Sequence, residues 1–138
     1  MKRLLIADDH DIVREGIKQI LADVPSITVA AEAADGREVL DILDNQTMDV
    51  VVLDIAMPGM SGVECLEAVK QRHPDLPVLI LSMHAEDQYA RRMLKAGAAG
   101  YICKSNAARE LPEALRKVSA GGRWLSPAGA PAGRAPAP

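Results

Sequence analysis

The sequence predicts an α/β domain, a doubly wound parallel sheet in three layers. Two observations predict it. Short apolar runs alternate with amphipathic stretches of helical period, five times over. The runs also lack the in-out alternation of half-exposed strands, which fits strands covered by helices on both faces. Right-handed crossovers then place helices on each side of the sheet.

The elements follow in order. Arg3–Ala7 is an apolar run that ends at Asp8-Asp9. Ile12, Val13, Ile17, Ile20 and Leu21 are expected on one face of the first helix. Ile27–Ala33 reads as a strand, and Asp35 with Glu38 three residues later starts a helix that buries Val39, Leu40 and Leu43. Asp49–Leu53 is a β-branched run ending at Asp54. Ser61-Gly62-Val63-Glu64 is a capping box that opens a helix with Leu66 and Val69 inward, stopped by Pro74. Val78–Leu81 is a strand ending at Ser82, and Glu86–Ala96 is a helix closed by Gly97. Ala99–Cys103 is a strand ending at Lys104. The last helix starts near Ala107, with Leu111, Leu115 and Val118 inward and Pro112 expected in its first turn.

Composition narrows the function. The chain has 138 residues and a net charge of −3, which suits one domain and argues against a basic nucleic-acid grip. It has no Phe, two Tyr and one Trp, so its core is aliphatic. Apolar runs are too short to cross a bilayer, and none after Met1-Lys2-Arg3 is long enough for a signal-peptide core. Two cysteines make no disulfide framework, and a cytoplasmic protein without membrane contact is expected. Cys103 is expected to be a small buried filler, and Trp124 to cover an apolar edge. Four of the nine prolines fall in Pro127–Pro138. Residues 123–138 therefore read as a Pro/Ala/Gly-rich linker or tail, and 1–122 as the folded domain.

The chemistry gathers at strand ends. Four of the five predicted strands finish on Asp8-Asp9, Asp54, Ser82 and Lys104. All carboxyl ends of a parallel sheet lie along one edge, where ligands bind at the reversal of strand order. If that order is 2-1-3-4-5, the first and third strands are neighbours and the three acids meet. At about 4 Å and an effective dielectric near 20, each like-charged pair costs about 4 kcal/mol. Either protons or a cation must offset this, and an all-oxygen site suits Mg2+ better than zinc. His10 flanks the acids and reads as solvent-facing. A hard cation, an ammonium and a hydroxyl around one carboxylate point to phosphoryl transfer, with Asp54 as nucleophile.

Leu53-Asp54-Ile55-Ala56-Met57-Pro58-Gly59-Met60-Ser61-Gly62, with Ala7-Asp8-Asp9-His10 before it and Tyr101-Ile102-Cys103-Lys104 after it, resembles the receiver domain of two-component response regulators. Val13-Arg14-Glu15-Gly16, Leu81-Ser82-Met83-His84 and Gly97-Ala98-Ala99-Gly100-Tyr101 further resemble the NarL/FixJ subfamily, which joins a receiver to a LuxR-type helix-turn-helix domain. The resemblance implies a flavodoxin-like, CheY-like five-stranded sheet of order 2-1-3-4-5. It implies that Asp54 accepts phosphate from a sensor histidine kinase that docks near the first helix. Asp8, Asp9, Asp54 and the backbone carbonyl of Ala56 would hold Mg2+. Lys104 and Ser82 would bind the phosphoryl oxygens, and Ser82 and Tyr101 would form the switch. Met57, Pro58, Gly59 and Gly62 form the loop beside the site, with Gly62 allowing close packing. It further implies a homodimer on phosphorylation, no turnover of an independent substrate, and DNA binding only through a helix-turn-helix domain that this chain lacks. The family often has a cis proline after the lysine. Here Ser105 follows, and a cis bond without proline costs ~2.5–4 kcal/mol.

Phosphorylation adds about −1.5 to −2 charges. Hydrogen bonds from Ser82 and Lys104 to that charge contribute about 1.5–3 kcal/mol each. Inverting a 1:99 equilibrium takes about 5.5 kcal/mol, so the two contacts are of the right size with little to spare. Two other classes fit worse. An aspartate-based phosphatase wants a second acid two residues after the nucleophile, and that position is Ala56. A flavin or dinucleotide carrier wants a glycine-rich loop after the first strand, where this chain is acidic.

Overall fold

A computed structural model describes residues 1–83 and 87–125, with 87–89 and 125 as backbone alone. The tail from 126 onward and the start of the fourth predicted helix at Glu86 lie outside the described residues. Strands β1 (Lys2–Ala7), β2 (Ile27–Ala33), β3 (Val50–Asp54), β4 (Val78–Ser82) and β5 (Gly100–Cys103) pair in parallel in the order 2-1-3-4-5. A sixth strand, β6 (Trp124–Leu125), adds to the free edge of β5. Two residues are too short to carry a periodicity, so this strand was illegible in the sequence.

Helices α1 (Asp11–Leu21), α2 (Gly36–Asn45), α3 (Gly62–Arg72), α4 (Asp87–Lys95) and α5 (Ala107–Ser119) make the outer layers. Successive strand residues point to opposite faces. Leu4 and Ile6 therefore pack with Ile17 and Leu21 of α1 and Leu111 and Leu115 of α5. Leu5 and Ala7 pack with Val39 of α2, Leu66 of α3 and Met93 of α4. Every residue of β3 and β4 is buried, as continuous apolar runs require. The Ser61–Glu64 capping box forms reciprocally at 3.0 and 3.1 Å and sets the start of α3.

Three local expectations are corrected. Ile12 is 82% exposed, because it sits about 140° around α1 from Ile17 at 3.6 residues per turn. Pro112 lies in the second turn of α5, since a 3-10 turn at Lys104–Asn106 leads directly into a helix that begins at Ala107. Cys103 is only part-buried, as the last residue of β5 it sits at the rim of the sheet, with Sγ 3.3 Å from Ser105 Oγ. Trp124 does cover an apolar edge, and its indole N–H also donates to buried Glu110 at 3.2 Å. No cis peptide occurs among the described residues. None of their helices is long and apolar enough to cross a membrane.

Candidate functional site

Strand order assembles the site. β1 and β3 are neighbours in register, Ala7 opposite Leu53, so the next residues, Asp8 and Asp54, leave the sheet side by side. On the far side, Asp54 lies opposite Leu81, and Ser82 opposite Cys103, which brings Ser82 and Lys104 to the same edge. Ligand atoms of Asp8, Asp9, His10 and Asp54 all lie within 4.8 Å of one another. Lys104 Nζ stands 2.9 Å from Asp8 Oδ2 and 3.3 Å from Asp54 Oδ2.

Burial makes this arrangement costly. Asp8 and Asp54 are each 1% exposed and Ser82 is fully buried. Burial pushes the Asp54 carboxyl above its ordinary range, and the charge of Asp8 adds to this. The Ala56 N–H, which donates to Oδ1 at 3.1 Å, and Lys104 only partly oppose it. Burial acts on Asp8 in the same sense. There the hydrogen bond from Lys104 and the His10 N–H, at 2.8 Å, together outweigh it, and Asp8 is held below its ordinary value. For Lys104, burial favours the neutral amine, but the bond to Asp8 and the charge of Asp54 win and raise its pKa. The pocket therefore sets three carboxyl groups against the one ammonium of Lys104, a balance that a proton on Asp54 or a further cation offsets.

The oxygens bear this out. Asp8 Oδ2, Asp9 Oδ1 and Asp54 Oδ2 are shut off from solvent, and their close polar neighbours are Lys104 Nζ, against Asp8 Oδ2 and Asp54 Oδ2, and His10 Nδ1, against Asp9 Oδ1. Hard carboxylate oxygens with spare lone pairs are the donor set that a small divalent cation takes, so the residues fit Mg2+. His10 is not simply solvent-facing. Its ring is 60% exposed, but Nδ1 lies 3.1 Å from both Asp8 Oδ1 and Asp9 Oδ1. Its place immediately after the acid pair was the available signal.

The adjoining loop is shaped by glycine. A Cβ on Gly62 would stand 2.5 Å from Ile55 Cα, so only glycine lets α3 start beside the turn after Asp54. Gly59 has φ +81°, the left-handed region that glycine enters freely. Met57 is buried, and Pro58 is exposed. Tyr101 is 3% exposed and packs in the core on the α2–α4 side of the sheet.

Known proteins share this framework. The family model for the response regulator receiver domain matches residues 4–116. The response regulator GacA of Pseudomonas viridiflava is 41% identical over 127 residues, covering 92% of this chain and 59% of the relative. The chain thus spans rather more than half the length of that curated relative. Among solved structures, a LuxR-family two-component response regulator from Aurantimonas sp. is 37% identical with a TM-score of 0.88, covering 92% of this chain and 91% of that one. The isolated receiver domain of RcsB from Salmonella enterica, determined with the phosphomimetic BeF3-, has a TM-score of 0.85 at 26% identity, covering 91% of this chain and 94% of that one.

Proposed function

This chain belongs to the response regulator receiver domain family, and on that premise we propose that it is a switch whose phosphoacceptor is Asp54. The observation that carries the reading is the gathering of Asp8, Asp9 and Asp54 within one ligand sphere, with the Lys104 ammonium against two of them. A carboxylate oxygen of Asp54 attacks phosphorus of a phosphohistidine on a sensor histidine kinase. The new O–P bond forms as the P–N bond breaks, and the imidazole leaves with the electron pair and takes up a proton. Asp8, Asp9, Asp54 and the Ala56 carbonyl would hold Mg2+, which would supply charge neutralisation at the phosphoryl oxygens. Lys104 shifts from Asp8 toward the phosphoryl group. Ser82, fully buried at the end of β4, donates to a phosphoryl oxygen, and Tyr101 changes rotamer in response.

No turnover of an independent substrate follows, because the product stays covalently on Asp54. The exposed Ile12 on α1 and Met83 after β4 give the kinase apolar contacts near the site. By analogy with the longer relatives, phosphorylation promotes a homodimer, and DNA binding in the cytoplasm is the work of a helix-turn-helix domain joined to such a receiver. The test is labelling by acetyl phosphate, or binding of beryllofluoride, with and without Mg2+, read together with size-exclusion chromatography. Stoichiometric, Mg2+-dependent labelling that Asp54→Asn abolishes is expected. Equal labelling of wild type and Asp54→Asn would overturn the assignment.

A further inference from the structure

Arg14 sits on α1, six residues after Asp8, yet its guanidinium ties three parts of the chain together. Nη1 donates to the carbonyl oxygen of Asp8 at 2.5 Å. Nε donates to Glu32 Oε1 on β2 at 3.0 Å, and Nη2 pairs with Asp11 at the start of α1. Lys18 closes on the same Glu32 at 2.9 Å. The Arg14 side chain is 15% exposed.

The Asp8 carbonyl belongs to the peptide plane that joins Asp8 to Asp9, and that plane is rigid. Its orientation fixes where the Cα of Asp9 stands and how the Asp9 carboxylate leaves the chain. The Asp8 N–H is already held by the Ala33 carbonyl at 3.0 Å. Arg14 supplies the missing restraint on the other side of the residue. Glu32 and Asp11 neutralise the guanidinium, so Arg14 acts through the backbone rather than as a counter-ion of the pocket. A planar fork with five N–H donors satisfies three separate acceptors, which a lysine ammonium at the same Cα does poorly.

We propose that Arg14 is a positioning residue for the cation pocket, fixing the Asp8–Asp9 peptide through a guanidinium that Glu32 holds in place. The proposal rests on the reading of the acid cluster as a Mg2+ site. Mg2+ demands near-ideal octahedral geometry, whereas Ca2+ accepts flexible coordination. A loosened Asp9 therefore costs more for Mg2+ than for Ca2+.

The experiment titrates the whole chain with Mg2+ and with Ca2+ by calorimetry, in wild type, Arg14→Met, Arg14→Lys and Glu32→Gln, with thermal melts in EDTA alongside. Arg14→Met is expected to weaken Mg2+ binding about tenfold, the scale on which groups that orient metal ligands act. Ca2+ affinity should fall less, Arg14→Lys should recover part of the loss, and Glu32→Gln should shift Mg2+ affinity in the same direction. Unchanged Mg2+ affinity in both Arg14→Met and Glu32→Gln would overturn the proposal. So would Mg2+ and Ca2+ affinities falling in parallel with melting temperature, the mark of a purely structural residue. If Arg14→Met fails to fold, Glu32→Gln decides by the same two criteria. Wild type that binds no Mg2+ would overturn the proposed function and this proposal together, a result distinct from equal binding across the series.

Discussion

Lys104 stands closer to Asp8 than to Asp54, 2.9 Å against 3.3 Å. The ammonium thus pairs most tightly with an acid proposed to hold the cation, and the proposed nucleophile is its second partner. Lys104 and a divalent cation compete for the same carboxylate oxygen. Removing Lys104 leaves two buried carboxylates without their shared cation. Lys104→Met is expected to cost about 3 kcal/mol of stability in EDTA, on the scale of a broken buried ion pair. Saturating Mg2+ should return part of that loss, and Mg2+ should bind the variant more tightly than wild type. Calorimetric melts with and without Mg2+ check both, and an unaltered melting temperature in EDTA would contradict the first.

Asp54 has the opposite effect on stability. Its folded pKa lies above the ordinary 3.8, chiefly through burial, so ionising it weakens the fold. A group shifted upward contributes stability that is complete below its unfolded value and is lost as pH rises through the folded one. In EDTA, Asp54→Asn should therefore melt higher than wild type at neutral pH, by a few degrees, equivalent to about 1 kcal/mol. That advantage should grow as pH rises from 3.8 and level off above the folded pKa of Asp54. Asp8 runs the other way. Its folded pKa is lowered, so its contribution is present above 3.8 and is lost as pH falls through the folded value. A pH series of melts on the two proteins separates these contributions.

Metal addition supplies a third test. Ligand that binds only the folded state stabilises by RT ln(1 + [L]/Kd), about 2.7 kcal/mol at a hundredfold excess over Kd. Mg2+ should raise the wild-type melting temperature accordingly. Asp9→Asn should lose most of that gain, because Asp9 Oδ1 is shut off from solvent and the Asp9 carboxylate lies within 4.8 Å of the ligand atoms of Asp8 and Asp54. An equal Mg2+ effect on both proteins would remove Asp9 from the ligand set.

Gly62 tests the packing beside the site. A Cβ there would sit 2.5 Å from Ile55 Cα, and backbone cannot swing away as a flexible side chain can. Gly62→Ala is expected to destabilise by about 1–3 kcal/mol, as overpacked sites do. It should also displace the turn after Asp54 and weaken Mg2+ binding. Urea unfolding measures the first effect and calorimetric titration the second.

The sequence by itself determined the five strand-helix units, because apolar runs without alternation and amphipathic stretches are local patterns that burial imposes residue by residue. It also determined that Asp8, Asp9, Asp54, Ser82 and Lys104 fall at strand ends, and a parallel sheet sends all such ends to one edge. The capping box at Ser61 and Glu64 was equally legible, since both partners lie within one turn. Tertiary structure alone decided the rest. The 2.9 Å preference of Lys104 for Asp8 depends on how a 3-10 turn leaves β5. The link from Arg14 to the Asp8 carbonyl and Glu32 joins α1, the loop after β1 and β2, and the Trp124–Glu110 bond joins α5 to a two-residue strand. Such contacts form between residues distant in sequence or on different elements, and no local period encodes them. Their distances are set by how helices settle on a twisted sheet.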